Sequence, residues 1–405
     1  MIMDVPAEAD IAIVGGGLVG SSLALMLAAQ GRQVALVEAR APGFGDAQWD
    51  ERCIALNAAS RIIFERMGLW ADLQGDAEPL LSTHISERGR FGQTRFDARE
   101  LNLPALGYNT PMRAINHLLW KQASQNQGIA LICPAQLVQL DLGSDCITLR
   151  LQCDGGDVRQ IKAKLVVAAD GANSRVRALL GVPTQTRDYR QTAVVTAVET
   201  ARAHQGLAYE RFLPTGPLAL VPKPSAAPAG ACSLIWTVPS SDSARCLALS
   251  DADFLAESQR QFGERLGRFQ RLGRRQGFPL HRLVAESITA PRVALAGNAA
   301  QSLHPVAAQG FNLGLRDAAA LARVICGADD PGAPAVVEQY RQVRQPDRQR
   351  VAGFTDQLVG LFSNRIPGLR GLRHLGLLAL DLDSPLRDAV LRQNLGMDGI
   401  TATAD

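Results

Sequence analysis

Residues 9–38 read ADIAIVGGGLVGSSLALMLAAQGRQVALVE, and this stretch decides the fold. Ala9–Val14 is short and apolar, as a buried strand of a parallel sheet must be. GGGLVG follows at once, then an apolar helix over Ser21–Ala29, closed by Gly31, and a second strand over Gln33–Val37. The spacing predicts a βαβ unit with G-x-G-x-x-G at Gly15, Gly17 and Gly20, and an acid, Glu38, 18 residues beyond. Glycines there let backbone amides approach a pyrophosphate, and Glu38 can take ribose hydroxyls. The motif alone is a weak sign. With strand, helix and acid all in place, a dinucleotide is the expected ligand.

Two later strands end in the same manner. Lys164–Ala169 (KLVVAA) runs into Asp170, Gly171 and a short helix reaching Leu180; taken alone, Asp-Gly is ordinary turn chemistry. Residues 291–318, PRVALAGNAAQSLHPVAAQGFNLGLRDA, give a strand over Val293–Ala296, a turn at Gly297 and Asn298, a polar loop and an apolar helix. Gln309–Asn312 lead into that helix, with Asn312 its expected N-cap. A helix start of this kind presents partial positive charge to a crevice at the carboxyl ends of the strands.

Two arginines fall between these landmarks. Arg52 lies in Trp49–Leu56, which shows no clean period, and reads equally as a solvated cation or a phosphate contact. Arg113 sits at the start of a helix over Ile115–Gln125, where a cation is unfavourable unless it faces an anion. Phe91–Phe96 suggests an edge strand of a different sheet, and Gln136–Leu140 with Cys146–Cys153 a hairpin. From Val182 the strands (192–200, 208–212, 218–222, 232–239) are separated by turn clusters, which points to an antiparallel sheet with one helix at 251–263. The expected organisation is a discontinuous dinucleotide-binding domain (1–75, 98–182, 280–335), a second domain (76–97, 183–279) and a helical C-terminal region (336–405). In that last region Leu361, Ile366, Leu369, Leu372, Leu375 and Leu378 share one face and Arg365, Arg370 and Arg373 another. Such a helix lies on a membrane or, more commonly, covers its own domain.

Composition excludes several classes. With 47% apolar and 20% charged residues the chain is globular, and a net charge of +3 does not suit a nucleic-acid partner. Seven scattered cysteines without a C-x-x-C pair indicate neither a disulfide framework nor a metal site, and suggest a reducing, cytoplasmic setting. An acidic N-terminus and the shortness of the apolar segment 18–29 argue against a signal or membrane span. Peripheral contact with the inner face of the cell membrane remains open.

With three strand ends in hand, the chain resembles the FAD-dependent aromatic hydroxylases of the para-hydroxybenzoate hydroxylase type. Within them it is similar to the ubiquinone-biosynthesis group, in particular the octaprenyl-methoxyphenol hydroxylases. The marks are GGGLVG (15–20), DER (50–52), ADGANSRVR (169–177), RFLPTGPLALVP (211–222), AGNAAQSLHPVAAQGFNLGLRDA (296–318) and YRQVRQPDR with FTDQLVGLF after it. Singly moderate, they are specific in this order and cover nearly the whole chain.

The resemblance implies an α/β fold, with a Rossmann-like FAD-binding domain of the glutathione-reductase type interleaved with an α+β substrate domain, plus C-terminal helices. It implies that Gly15, Gly17, Leu18, Val19, Gly20, Glu38, Ala39 and Arg40 hold the ADP half of FAD, and that Arg52 and Arg113 reach its phosphates or ribityl chain. Asp170 and Gly171 match a family motif near FAD. Position 298 is usually aspartate; Asn298, beside Gly297, can still accept and donate. His304 and Pro305 would pass the flavin ring, and Gly310, Phe311, Asn312 and Leu313 would offer amides to it, so His304, Pro305 and Gly310 are the catalytic candidates. An apolar-flanked histidine is equally often structural, and no catalytic base is legible.

The implied chemistry is reduction by NAD(P)H, O2 addition to give a flavin C4a-hydroperoxide, and attack by a polyprenylated phenol such as 2-octaprenyl-6-methoxyphenol. Implied partners are that substrate and a biosynthetic protein complex; a homo-oligomer is compatible. Another aromatic substrate, a flavoprotein that reduces a prenyl double bond, and a catalytically silent flavin-binding scaffold are the alternatives.

Overall fold

The computed structural model of the chain describes residues 5–41, 52–89, 93–224, 230–305, 309–362, 391–392 and 395–396. Its centre is a mixed sheet in which Val293–Leu295, Val158–Ala168, Glu8–Val14, Val34–Val37 and Ile129–Ile132 lie side by side and parallel. Ile11 stands between Leu165 and Val34, and all three are buried. The strands read as continuous apolar runs because both faces are covered. The helix Leu18–Ala28 packs against Gln309–Ile325 and Met112–Gln125. As expected from sequence, Ala135–Leu142 and Ile147–Cys153 form a hairpin, which extends the outer half of Val158–Ala168.

The second large sheet has the order Gln301–Ser302, Gln276–Ala285, Thr184–Thr200, Ala231–Pro239, Gly216–Pro222, Leu207–Leu213, Ser82–Glu87 and Gln93–Asp97. Residues 91–92 lie outside the described residues, and the strand expected there is the edge strand from Gln93. One face is sealed by Asp251–Phe262 over a core that includes Val194, Leu218, Leu234, Trp236, Phe254 and Phe262. The other face is half-open, because Val195, Ala197, Ala219, Val221 and Ile235 alternate with fully buried neighbours and keep partial exposure.

Several expectations needed correction. Trp49–Leu56 showed no period, yet Cys53–Asn57 is a strand of a third, small sheet with Gly107–Pro111 and Glu78–Leu80. It has too few residues to display alternation. Residues 280–285, expected in the dinucleotide-binding part, continue Gln276–Ala285 and pair with Thr184–Gln191. The chain therefore joins the central sheet only with Thr289–Ala290 and Val293–Leu295, after Ala285, and returns to the large sheet at Gln301–Ser302. Ser240–Ala248 is a helix that the sequence reading did not foresee, and Met112–Gln125 begins three residues before the expected start. The C-terminal region opens with the helix Pro334–Phe362, while the amphipathic face expected at 361–378 lies outside the described side chains.

Candidate active site

The carboxyl ends of three parallel strands converge, and glycines let them. Gly15 has φ +107°, and a Cβ there would lie 2.4 Å from the Ala169 carbonyl oxygen, so the first strand end abuts the second. A Cβ on Gly20 would lie 1.9 Å from the Gly15 oxygen. Around Gly17, by contrast, a Cβ would meet nothing within 4 Å. Gly15 and Gly20 are thus required by packing, whereas Gly17 leaves open space at the crevice. The third strand end closes on the first at Gly297 (φ +58°), where a Cβ would press on Val19, as would one on Gly314.

Polar contacts hold the glycine loop. Glu38 Oε2 accepts from the Gly16 amide (2.7 Å) and Oε1 from the Arg40 amide (3.0 Å). Each oxygen keeps a lone pair for a ribose hydroxyl at the rim, where Ala39 and Arg40 are exposed. The Gly16 carbonyl accepts from Ser21 Oγ (2.9 Å) and the buried Trp120 indole (2.8 Å). Trp120 lies two turns along the helix that begins beside Arg113, and so ties that helix to the loop. Cys53 pairs with Pro111, which brings Arg52 and Arg113 to one end of the small sheet. The Arg52 guanidinium sits 5.3 Å from the ring centre of Phe278, on the half-open face of the large sheet.

The other two ends are coupled by a residue absent from the expected set. Arg177 is buried and donates to the Ala172 carbonyl (2.6 Å) and to Ala299 (2.8 Å), joining the Asp170–Gly171 turn to the Gly297–Asn298 turn. Its signal was its place within ADGANSRVR. Asp170 Oδ2 accepts from the Arg175 (2.6 Å) and Val176 (3.1 Å) amides, while its Oδ1 is buried without a hydrogen-bond partner among the described residues. Gly171 has φ +82°. Asn298 is exposed between buried neighbours and opens on the crevice.

Asn312 is not an N-cap. The helix already runs from Gln309, and Asn312 is buried in its first turn, accepting from the Asn57 amide (3.1 Å) and Ser60 Oγ (2.7 Å) and donating to Ala55 (2.8 Å). It fastens the helix start to the small sheet instead. Leu313 is buried, Gly310 and Phe311 are half-buried, and a Cβ on Gly310 would meet nothing within 4 Å. The first amides of a helix have no intrahelical acceptor, so this turn offers donors to the crevice.

His304 is 1% exposed and meets Tyr189 edge-on, with ring centres 5.0 Å apart. Burial pushes its pKa down to about 4, against the nearby Asp356 that favours the cation. The imidazole is therefore neutral at pH 7, and Pro305 beside it is exposed.

Behind the third turn lies a buried ionic cluster that sequence reasoning also missed. Asp317 accepts from Arg344 Nε (2.7 Å), Gln301 Nε2 (2.7 Å) and the Gly297 amide (3.1 Å). Asp347 joins Arg316 (3.1 Å) and Arg344 (2.8 Å), while Arg348 donates to the Ala300 carbonyl (3.1 Å). The helix Pro334–Phe362 thereby grips the turn that carries Asn298.

Residues 8–355 match a family described as FAD binding domain. The chain belongs to this family. It is 36% identical over 393 residues to ubiquinone hydroxylase UbiL of Rhodospirillum rubrum, covering 96% of this chain and 90% of that protein. With 3-demethoxyubiquinol 3-hydroxylase of Escherichia coli the identity is 34% over 399 residues, covering 96% and 98%. The human mitochondrial ubiquinone biosynthesis monooxygenase COQ6 is 26% identical over 451 residues, covering 94% and 91%. Among solved structures, p-nitrophenol 4-monooxygenase PnpA from Pseudomonas putida shares the fold, with a TM-score of 0.78 over 96% of this chain and 99% of that one at 18% identity.

The residues present fit FAD. Gly17 and Gly310 leave space where a side chain would intrude, Glu38 keeps acceptor capacity at the ribose end, the Asp170 oxygen lacks a partner, and the exposed Asn298 offers both donor and acceptor.

Proposed function

We propose that the protein is an FAD-dependent monooxygenase that uses NAD(P)H and O2 to hydroxylate a polyprenylated phenol of ubiquinone biosynthesis. The observation that carries this reading is a juxtaposition. The turn that carries Asn298 runs straight into Gln301–Ser302, an edge strand of the large sheet, and Arg52 against Phe278 joins the FAD-binding part to the half-open apolar face. A dinucleotide-dependent enzyme acting on a small polar substrate would not need such a face. The ubiquinone hydroxylases among the relatives support the substrate class, and the resemblance of GNAAQ (297–301) to the octaprenyl-methoxyphenol group favours 2-octaprenyl-6-methoxyphenol.

Bound FAD, reduced by NAD(P)H, supplies activated oxygen. The chain does the rest. The glycine-loop amides with Glu38 would hold the adenosine end, and Arg52 and Arg113 would reach the phosphates. Asn298 would hold the ribityl chain, and the amides at Gly310–Leu313 would stabilise negative charge on the ring, a preorganised electrostatic effect. Val195, Ile235, Ala219 and Val221 hold the substrate and exclude water. No helix among the described residues is long and apolar enough to cross a membrane. The long-chain substrate dissolves in lipid, so the same reading puts the enzyme in peripheral contact with the membrane's inner face, alongside other enzymes of the pathway.

The test is phenol-dependent NAD(P)H oxidation by the purified yellow protein, with isotopically labelled O2 traced into the product. Label in the ring hydroxyl is expected. Reduction of a prenyl double bond without O2 uptake, or no turnover with any prenylphenol, would overturn the reading. The quinone precursor that accumulates in cells lacking the protein identifies the ring carbon.

A further inference from the structure

Among the described residues the half-open sheet face is largely apolar, and Glu210 stands on it with apolar residues on either side. Register places it. Glu210 pairs with Ala219 on one side and Ile85 on the other, and the same rung continues through Ile235, Val195 and Gln276. Two residues along, Phe212 pairs with Pro217, and Thr237 with Ala193, which pairs with Phe278, and Phe278 carries Arg52. Side chains on adjacent strands of one rung share a face, so Glu210 stands on the side that looks towards the FAD-binding part. Its neighbours Tyr209 and Arg211 point the other way, to Phe262 and the sealed core.

The carboxylate is half-buried and makes no hydrogen bond or ion pair among the described residues. Protein surrounds it while water still reaches it, which describes a group lining a recess. Burial alone pushes its pKa up to about 7, and no charged side chain contributes. By register the nearest charged groups on this face are Glu87, opposite Phe212, and Arg52 at the far end of the sheet; Ala219, Ile85 and Ile235 offer none. A lone carboxylate in an apolar recess is costly unless something there uses it.

We propose that Glu210 is the residue that takes the phenolic proton of the substrate, the aromatic ring lying on the rung between Ala219 and Val195. This rests on the function proposed above. In the step, the phenol O–H bond breaks as a carboxyl O–H bond forms. The electron pair left on oxygen raises the nucleophilicity of the ring, and the proton afterwards leaves to water. An acceptor with a raised pKa is better matched to a phenol, whose ordinary pKa is about 10, than an exposed carboxylate would be.

The test compares the wild-type holoenzyme with Glu210→Gln and Glu210→Asp, using a short-chain 2-alkenylphenol as probe. FAD content and melting temperature control for folding. In the wild type, product formation should rise as pH increases through about 7, because the carboxylate form is the acceptor. Glu210→Gln should lose about a hundredfold in that rate, and the rising limb should vanish. Glu210→Asp should keep the limb at a reduced rate, which preserves the test if the glutamine variant folds poorly. A glutamine variant that keeps the wild-type rate, or that is slow but keeps the same limb, would overturn the assignment. Absence of hydroxylated product from the wild type would instead sink the proposed function, and remains distinguishable because probe binding is read separately from the flavin absorbance.

Discussion

Asp317→Asn removes one charge from the buried cluster behind the crevice with little change in shape. Asp317 is 0% exposed, and Arg316, Arg344 and Arg348 are each 5% exposed or less. Three guanidinium groups then face a single carboxylate, Asp347, instead of two. Breaking a buried pair from one side costs about 3–5 kcal/mol, because the remaining charge loses its compensation. With roughly 2 cal/mol/K of unfolding entropy per residue over 405 residues, the melting temperature should fall by about 4–6 °C. Asp317 also accepts from the Gly297 amide, so the turn bearing Asn298 loosens and FAD affinity falls in the same variant. Calorimetry at saturating FAD reads the first effect, and flavin fluorescence on dilution reads the second. Adding Arg344→Met removes the stranded cation, and the double variant should melt above Asp317→Asn alone. If the single variant melts within about 1 °C of wild type, or the two substitutions are additive, the cluster does not hold the turn in this way.

The first two glycines of the motif should separate cleanly. Gly15→Ala drives a methyl into the Ala169 carbonyl at positive φ and should cost about 1–3 kcal/mol in the unliganded protein. Gly17→Ala has open space, so its unliganded melting temperature should not move, while FAD binding should weaken by about tenfold or more, equivalent to 1.4 kcal/mol; the reverse order would be inconsistent with the placement. Asn298→Leu should purify without bound flavin and Asn298→Asp should stay yellow, which absorbance at fixed protein concentration decides. The folded pKa of His304 lies below its ordinary 6.5, at about 4, so between these values the unfolded chain binds a proton that the folded chain does not. That contribution is complete above pH 6.5 and is lost as pH falls towards 4, about 3 kcal/mol in all. Denaturant titrations across this range should show a flatter pH dependence for His304→Gln, and an unchanged slope would contradict a buried neutral imidazole.

Glycine spacing, the short apolar runs and Glu38 made the FAD-binding half legible, because each acts locally. A glycine needed for close approach, a strand covered on both faces and an acid at a strand end leave their mark within a few residues. The small sheet at Cys53–Asn57 was not legible, since five residues paired only through distant partners show no period of their own. Asn312 illustrates the same limit. Its residue type suits an N-cap, but its role is set by Asn57 and Ser60, more than 250 positions away.

From sequence alone came the parallel sheet, the dinucleotide crevice and the resemblance that singled out Gly15, Asp170, Asn298 and Gly310. Tertiary structure alone decided that Arg177 ties two strand ends together, that Asp317 and Arg344 brace the third, that His304 is neutral, and that Glu210 stands in an apolar recess. The physical reason is that desolvation and ion pairing depend on what surrounds a group in three dimensions. A glutamate in RFLPTG's flanking strand looks the same in sequence whether water or leucine lies beside it.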